Sequence, residues 1–240
     1  INESLSLTTF IVGSNRSTQS VDVWINIDKN IAEDVANKTF SLSKNPQLRA
    51  QSNINIYGIC AGYDPELGLI IFATEDGGPN VEVWQYNNSL LKLITTFSNK
   101  GESEGCVYDD ENRTLFISEE NTNGVLKAYK LDSALNFGNP IIVDSRQGNI
   151  GGDPEGVAIY KTSSTSGYVV LSSQGDSKYN IYNREAPYEY INSFRIGPSM
   201  YGLIDGASDT DGVAISSNKL NIDFPQGLLV VQDGYNKDKG

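Results

Sequence analysis

The 240-residue chain contains no histidine. That absence excludes a Ser-His-Asp triad, a Cys-His pair, a His-ligated zinc and a phosphohistidine intermediate. Chemistry here must rest on carboxylates, Tyr, Arg, Lys, amides or bound metal. Oxygen ligands without imidazole point to a hard cation such as calcium. Positive charge is scarce too: 18 Lys+Arg face 30 Asp+Glu, a net charge of -12. Such a chain does not bind nucleic acid or an anionic membrane through bulk electrostatics. An anionic substrate would need positive charge from another source, and a divalent cation is the obvious one. No apolar run approaches the roughly 20 residues needed to span a bilayer. Two cysteines, Cys60 and Cys106, allow one disulfide or none. The chain opens at Ile1 with neither an initiator Met nor a signal peptide and stops at Lys239-Gly240, so it reads as a fragment.

What is present favours strands. There are 23 Gly and 13 Tyr but one Met, a balance that suits strands and tight turns over helices. Thr8–Val12, Val21–Ile27, Leu69–Thr74, Val81–Tyr86, Leu115–Ser118, Val125–Tyr129, Pro140–Val143, Tyr168–Ser172, Tyr179–Tyr182 and Gly227–Val231 are rich in β-branched or aromatic residues, with turn residues between them. Ile31–Ala36 alone hints at a helical turn.

Four segments repeat: Tyr57-Gly58-Ile59-Cys60, Glu104-Gly105-Cys106-Val107, Glu155-Gly156-Val157-Ala158 and Asp211-Gly212-Val213-Ala214. Each leads to an apolar strand that ends in a polar cluster: Glu75-Asp76-Gly77, Glu119-Glu120-Asn121, Gln174-Gly175-Asp176 and Gln232-Asp233-Gly234. A period of roughly 40–50 residues with four strands is the arithmetic of a propeller blade. A β-sandwich is the competing architecture, but it needs no acidic-Gly start at each period. The expected fold is therefore all-β, a β-propeller of four-stranded antiparallel blades in a single domain over 1–240, incomplete at both ends. Residues 56–99, 103–145 and 154–197 make whole blades, and 8–45 and 211–240 make parts, so about four to five blades are represented. In a propeller the first strand of each blade lines the central channel. Glu104, Asp153, Glu155 and Asp211 would then converge, and crowded carboxylates call for a cation between them.

The strings Ser14-Asn15-Arg16-Ser17, Tyr57-Gly58, Ser103-Glu104-Gly105, Asp109-Asp110-Glu111, Ser118-Glu119-Glu120, Asp153-Pro154-Glu155-Gly156, Ser172-Ser173-Gln174-Gly175, Ser208-Asp209-Thr210-Asp211-Gly212 and Gln232-Asp233-Gly234 occur in order along nearly the whole chain. In these the sequence resembles the β-propeller phytases, of the 3-phytase type. The resemblance implies a six-bladed propeller. It also implies a calcium-dependent phosphomonoesterase that releases phosphate from phytate, myo-inositol hexakisphosphate, taken as its calcium complex. Several calcium ions would hold a substrate phosphate and activate the attacking water.

By the same resemblance Glu104, Asp153 and Glu155 match calcium ligands on channel strands, and Gln174 matches a neutral amide ligand. Glu120 matches a further ligand. Alternation along a strand lets at most one of Glu119 and Glu120 reach the centre. Tyr57 matches a tyrosine near the catalytic calcium, and Arg16 matches a phosphate-gripping arginine, a role that suits a bidentate guanidinium. Asp211 and Gly212 match a stabilising calcium site, to which Asp205, Asp209, Asp233 and Asn236 are candidate additions. Read bare, these residues are turn caps, a core tyrosine, a surface arginine and an Asx-turn loop without metal.

Cys60 and Cys106 sit at near-equivalent repeat positions, so a disulfide between neighbouring inner strands is expected, with two buried thiols as the alternative. Asn15, Asn37, Asn87 and Asn112 each open a glycosylation sequon, and a glycan on Asn15 would crowd the supposed phosphate grip. A secreted or periplasmic monomer is expected. The family's earliest blade and its phosphate-binding lysines have no counterpart, so these 240 residues alone are not expected to show robust activity. A calcium-propeller lactonase is a competing enzyme reading, and a non-catalytic, calcium-stabilised binding module is a competing reading from another class.

Overall fold

The computed structural model describes residues 9–26, 45–121, 123–132, 136–201 and 203–234. Among these, the strands form five antiparallel sheets. β1 (Thr9–Asn15), β2 (Ser20–Asn26) and β3 (Leu48–Gln51) make the first. β4 (Ile56–Asp64), β5 (Gly68–Glu75), β6 (Asn80–Asn87) and β7 (Leu90–Ser98) make the second. The third holds β8 (Ser103–Asp109), β9 (Thr114–Glu119), β10 (Val125–Lys130) and β11 (Ile141–Ser145). The fourth holds β12 (Pro154–Lys161), β13 (Gly167–Ser173), β14 (Lys178–Asn183) and β15 (Tyr190–Phe194). β16 (Val213–Ser216) and β17 (Leu228–Val231) pair in the fifth. Each four-stranded sheet is a meander in chain order, and β4, β8, β12 and β16 lie side by side. This is a β-propeller, and the three whole sheets fall on the repeat units expected from the sequence. The helical turn expected at Ile31–Ala36 lies outside the described residues, as does Asn236.

The sheets stack face to face, so a middle strand is buried on both sides and reads as a continuous apolar run. In β5, Phe72 packs towards the third sheet with Tyr108, Leu115 and Ile117, while Ile71 and Ala73 pack towards the first with Val21 and Val23. Phe116 and Leu126 meet Val157, Val169 and Tyr182 in the next interface. The outermost strands β7 and β15 are half-buried to exposed, with no fully buried residue, and carry no such run. That is why neither stood out among the strands expected from composition. Between β6 and β7 a two-residue loop, Asn88-Ser89, has φ of 47° and 64°, the primed-turn geometry that matches strand twist.

Cys60 on β4 and Cys106 on β8 form a disulfide, with Cα atoms 5.7 Å apart. It joins neighbouring inner strands, and the thiol alternative is set aside.

At the far end of the inner strands, buried ion pairs join one blade to the next. Asp64, ending β4, accepts from Arg113 at 2.8 Å and from the Tyr108 hydroxyl at 2.9 Å. Asp109, ending β8, accepts from Arg184 at 2.5 and 2.7 Å, and both side chains are fully buried.

Candidate functional site

Register explains how the chain builds its cleft. In β4, β8 and β12 the pairing slips by one residue across Ile56/Ile59, Ser103/Cys106 and Pro154/Val157. Each slip is a β-bulge, and it falls on Tyr57-Gly58, Glu104-Gly105 and Glu155-Gly156. A bulge re-aims the side chain it carries. The glycine is required because the next inner strand passes too close for a side chain. A Cβ at Gly58 would press on the Thr74 hydroxyl and come within 3.2 Å of the Glu104 carbonyl oxygen, while one at Gly105 would collide with the carbonyl of Glu155 and one at Gly156 with that of Asp211. The Gly156 N–H donates to the Asp211 carbonyl at 2.7 Å. Gly156→Ala should therefore cost about 1–3 kcal/mol, the usual penalty of overpacking. It should also displace Glu155, and thermal unfolding read beside cation titration checks both effects.

The second strands supply the other half. The pairs Gly13↔Asp22, Ala73↔Glu82, Ile117↔Lys127 and Leu171↔Asn180 are equivalent. Counting three residues on places Arg16, Asp76, Glu120 and Gln174 at one repeated position, at the rim of the channel. By this register β1 is the second strand of its blade. It also corrects one equivalence suggested by the sequence. Val213↔Val231 matches Val157↔Leu171, so Gln232 stands at the place of Ser172 and Asp233 at that of Ser173. Gln232 accepts from the Asp211 N–H at 2.8 Å, and Asp233 accepts from the Ser208 N–H at 3.1 Å. Both brace the loop rather than line the cleft.

The resulting cleft of about 630 Å³ is lined by Tyr57, Glu104, Glu120, Glu155, Gln174 and Asp211, with Gly212 beside them. Ligand atoms of Glu104, Glu120 and Glu155 all lie within 4.8 Å of one another. Burial, then the charge of Glu120, pushes Glu104 up to about 7. Burial, then the charges of Glu104 and Glu120, pushes Glu155 up to about 8. The charge of Glu104 and burial raise Tyr57 as well. Three carboxylates plus the Gln174 amide form an all-oxygen donor set, and it fits a hard divalent cation.

Other expected residues lie around this centre. Arg16 stacks over the Tyr57 ring, 4.7 Å from its centroid, and is held by Asp76 at 3.2 Å. Gln174 donates through its side chain to Asp211. Asp153 stands apart from the carboxylate trio, paired with Arg146. Glu119 is buried against Lys127 while Glu120 is exposed to the cleft, the opposite facing that strand alternation requires. Sequence reasoning passed over three charged residues here: Asp76 and Glu102, which line the cleft, and Arg146. Asp76 was findable, since it occupies the repeat position of Glu120. Arg146 lies in a turn outside the repeats, and nothing in the sequence marks it.

A family model described as Phytase matches residues 11–240. The 3-phytase of Bacillus subtilis (strain 168) is 34% identical over 151 residues, covering 62% of this chain and 38% of that protein. The match thus spans about two fifths of the length of that curated relative. Among solved structures, a luciferin-regenerating enzyme covers 96% of this chain and 81% of its own at a TM-score of 0.54 and 12% identity. A functionally unknown protein from Desulfotomaculum acetoxidans DSM 771 gives a TM-score of 0.55 at 9% identity, over 79% of this chain and 52% of its own. At such identities the likeness is one of fold. The sequence match runs through every repeat that builds the carboxylate cleft, and by it the chain belongs to the phytase family.

Proposed function

We propose that the cleft is the calcium-dependent active site of a phosphomonoesterase that releases inorganic phosphate from phytate. The observation that carries this reading is the convergence of Glu104, Glu120 and Glu155 on one point, in a chain of the phytase family. Glu104, Glu120, Glu155 and Gln174 would hold the cation. Asp211 and Tyr57, which line the same cleft, would extend the set to further ions. When bound, calcium supplies positive charge that draws phosphoryl oxygens and lowers the pKa of a water. The chain's own residues do the rest. The bulges fix the carboxylates, the Arg16 guanidinium stands at the rim beside Tyr57 to take a phosphate, and the acidic walls reject an uncomplexed polyanion. The Cys60–Cys106 disulfide supports placing the protein in an oxidising, extracellular or periplasmic compartment.

The natural gene product containing this chain should release phosphate from calcium-phytate near neutral pH and stop when a chelator is added. A folded, calcium-loaded protein that releases none would sink the reading and favour the non-catalytic module.

A pH signature follows from the carboxylates. Without cation, the folded state holds protons on Glu104 and Glu155 that the unfolded chain has already lost above about pH 4.5. Stability from these groups is full below that pH and drains away as pH rises through 7 and 8. Calcium should remove the decline, and its affinity should rise across the same window with proton release. Melting curves from pH 5 to 9, with chelator and with calcium, test this. A chelated protein equally stable at pH 5 and pH 8.5 would contradict it.

A further inference from the structure

Each four-stranded blade carries a buried polar residue at one register position of its third strand. The pairs Ala73↔Glu82, Ile117↔Lys127 and Leu171↔Asn180 make Glu82, Lys127 and Asn180 equivalent, and all three are buried. Each grips the segment that leads into the inner strand of its own blade. Glu82 accepts from the Ser52 hydroxyl and the Asn53 N–H, both at 2.8 Å. Lys127 donates to the Asn99 carbonyl at 2.6 Å. Asn180 donates to the Asn149 carbonyl at 3.0 Å. Of the three, the grip is cationic in the blade that carries both Glu104 and Glu120.

There the grip reaches further. Lys127 also pairs with Glu119. Asn99 donates to Glu119 at 3.2 Å and to the Ser103 hydroxyl at 3.0 Å, and its amide oxygen accepts from Tyr129 at 2.8 Å. Gly101 lets the loop close over the Glu119 carboxyl, where a Cβ would collide with it. Ser103 and Glu119 are ladder partners, and each immediately precedes a carboxylate of the cleft. One ammonium and one amide therefore tie down the backbones that present Glu104 and Glu120. The same ammonium pairs with a buried carboxylate one residue from Glu120.

We propose that Lys127 is a positioning residue for the cation centre: with Glu119 and Asn99 it sets the spacing of Glu104 and Glu120. The inference rests on the cation reading above. Groups that orient metal ligands typically hold about 10–100-fold in metal affinity. Lys127→Met should weaken calcium binding at the cleft by about tenfold or more. That variant strands a buried carboxylate and so risks misfolding. The double variant Glu119→Gln/Lys127→Met removes both charges at similar volume, a change that cores often tolerate.

Calorimetric calcium titration of wild type and both variants, beside melting curves in chelator, is the experiment. The double variant should melt near wild type yet bind calcium about tenfold more weakly. Its kcat at limiting calcium should fall and return at high calcium, with KM for phytate unchanged, a rescue that a merely structural role does not give. Wild-type affinity in a well-folded double variant would overturn the proposal alone. A wild type that takes up no calcium would overturn the cation reading and this inference with it.

Discussion

Glu155→Gln, with calcium saturating, is expected to lower kcat/KM for phytate by on the order of a hundredfold or more, as removal of one preorganised active-site group does. The substitution keeps the shape of the side chain and deletes one of three charges whose ligand atoms lie within 4.8 Å of one another. Glu155 is the carboxylate pushed furthest, to about 8, so without cation its charge is the costliest in the cleft. The variant should therefore show two opposite signs. Chelated at pH 8, it should melt above the wild type, because one repelling charge is gone. Loaded with calcium, it should gain less from the ion and turn over slowly. An unchanged rate would remove Glu155 from the active site, and an unchanged chelated melting point would remove the repulsion argument.

Arg184→Met should have the largest effect on stability. Arg184 is fully buried, bonds both oxygens of Asp109 and also reaches Glu111 at 2.6 Å. It ties the fourth blade to the third. Removing the guanidinium leaves Asp109 buried without its partner, a loss of about 3–5 kcal/mol. For a domain of this size that is roughly 10 °C in Tm. Asp109 ends the same β8 strand (Ser103–Asp109) that begins beside Glu104. Seven residues of strand separate the two ends by about 20 Å. Calcium affinity at low temperature should therefore be unaltered. A variant that melts normally would show that the pair adds no net stability, and one that melts early but also loses calcium would show the two ends to be coupled.

The repeat was legible because each blade must bury both faces of its middle strands and turn back at a similar interval. Apolar runs such as Leu69–Thr74 and acidic-Gly starts such as Glu104-Gly105 announce that arrangement directly. The candidate ligands on the inner strands were legible for the same reason, since propeller geometry brings equivalent positions together. The outermost strands β7 and β15 were harder to see, because each keeps part of its length towards solvent and carries no unbroken buried run, whereas the outermost β11 was marked by Pro140–Val143. Strand alternation alone left the partition within Glu119-Glu120 open; the resemblance pointed to Glu120, and the register turns Glu120 to the cleft and buries Glu119 against Lys127.

The all-β repeat, the lack of imidazole chemistry, the acidic field and the pair of cysteines at near-equivalent positions were all visible in the linear chain. These are properties of composition and period, which a linear chain displays. The folded chain added what depends on register and distance. It closed the Cys60–Cys106 bridge, set Gln232 and Asp233 against the Asp211 and Ser208 N–H groups, paired Asp153 with Arg146, and drew Glu104, Glu120 and Glu155 to one point. A one-residue bulge reverses which face a side chain takes, and no composition records where the ladder slips.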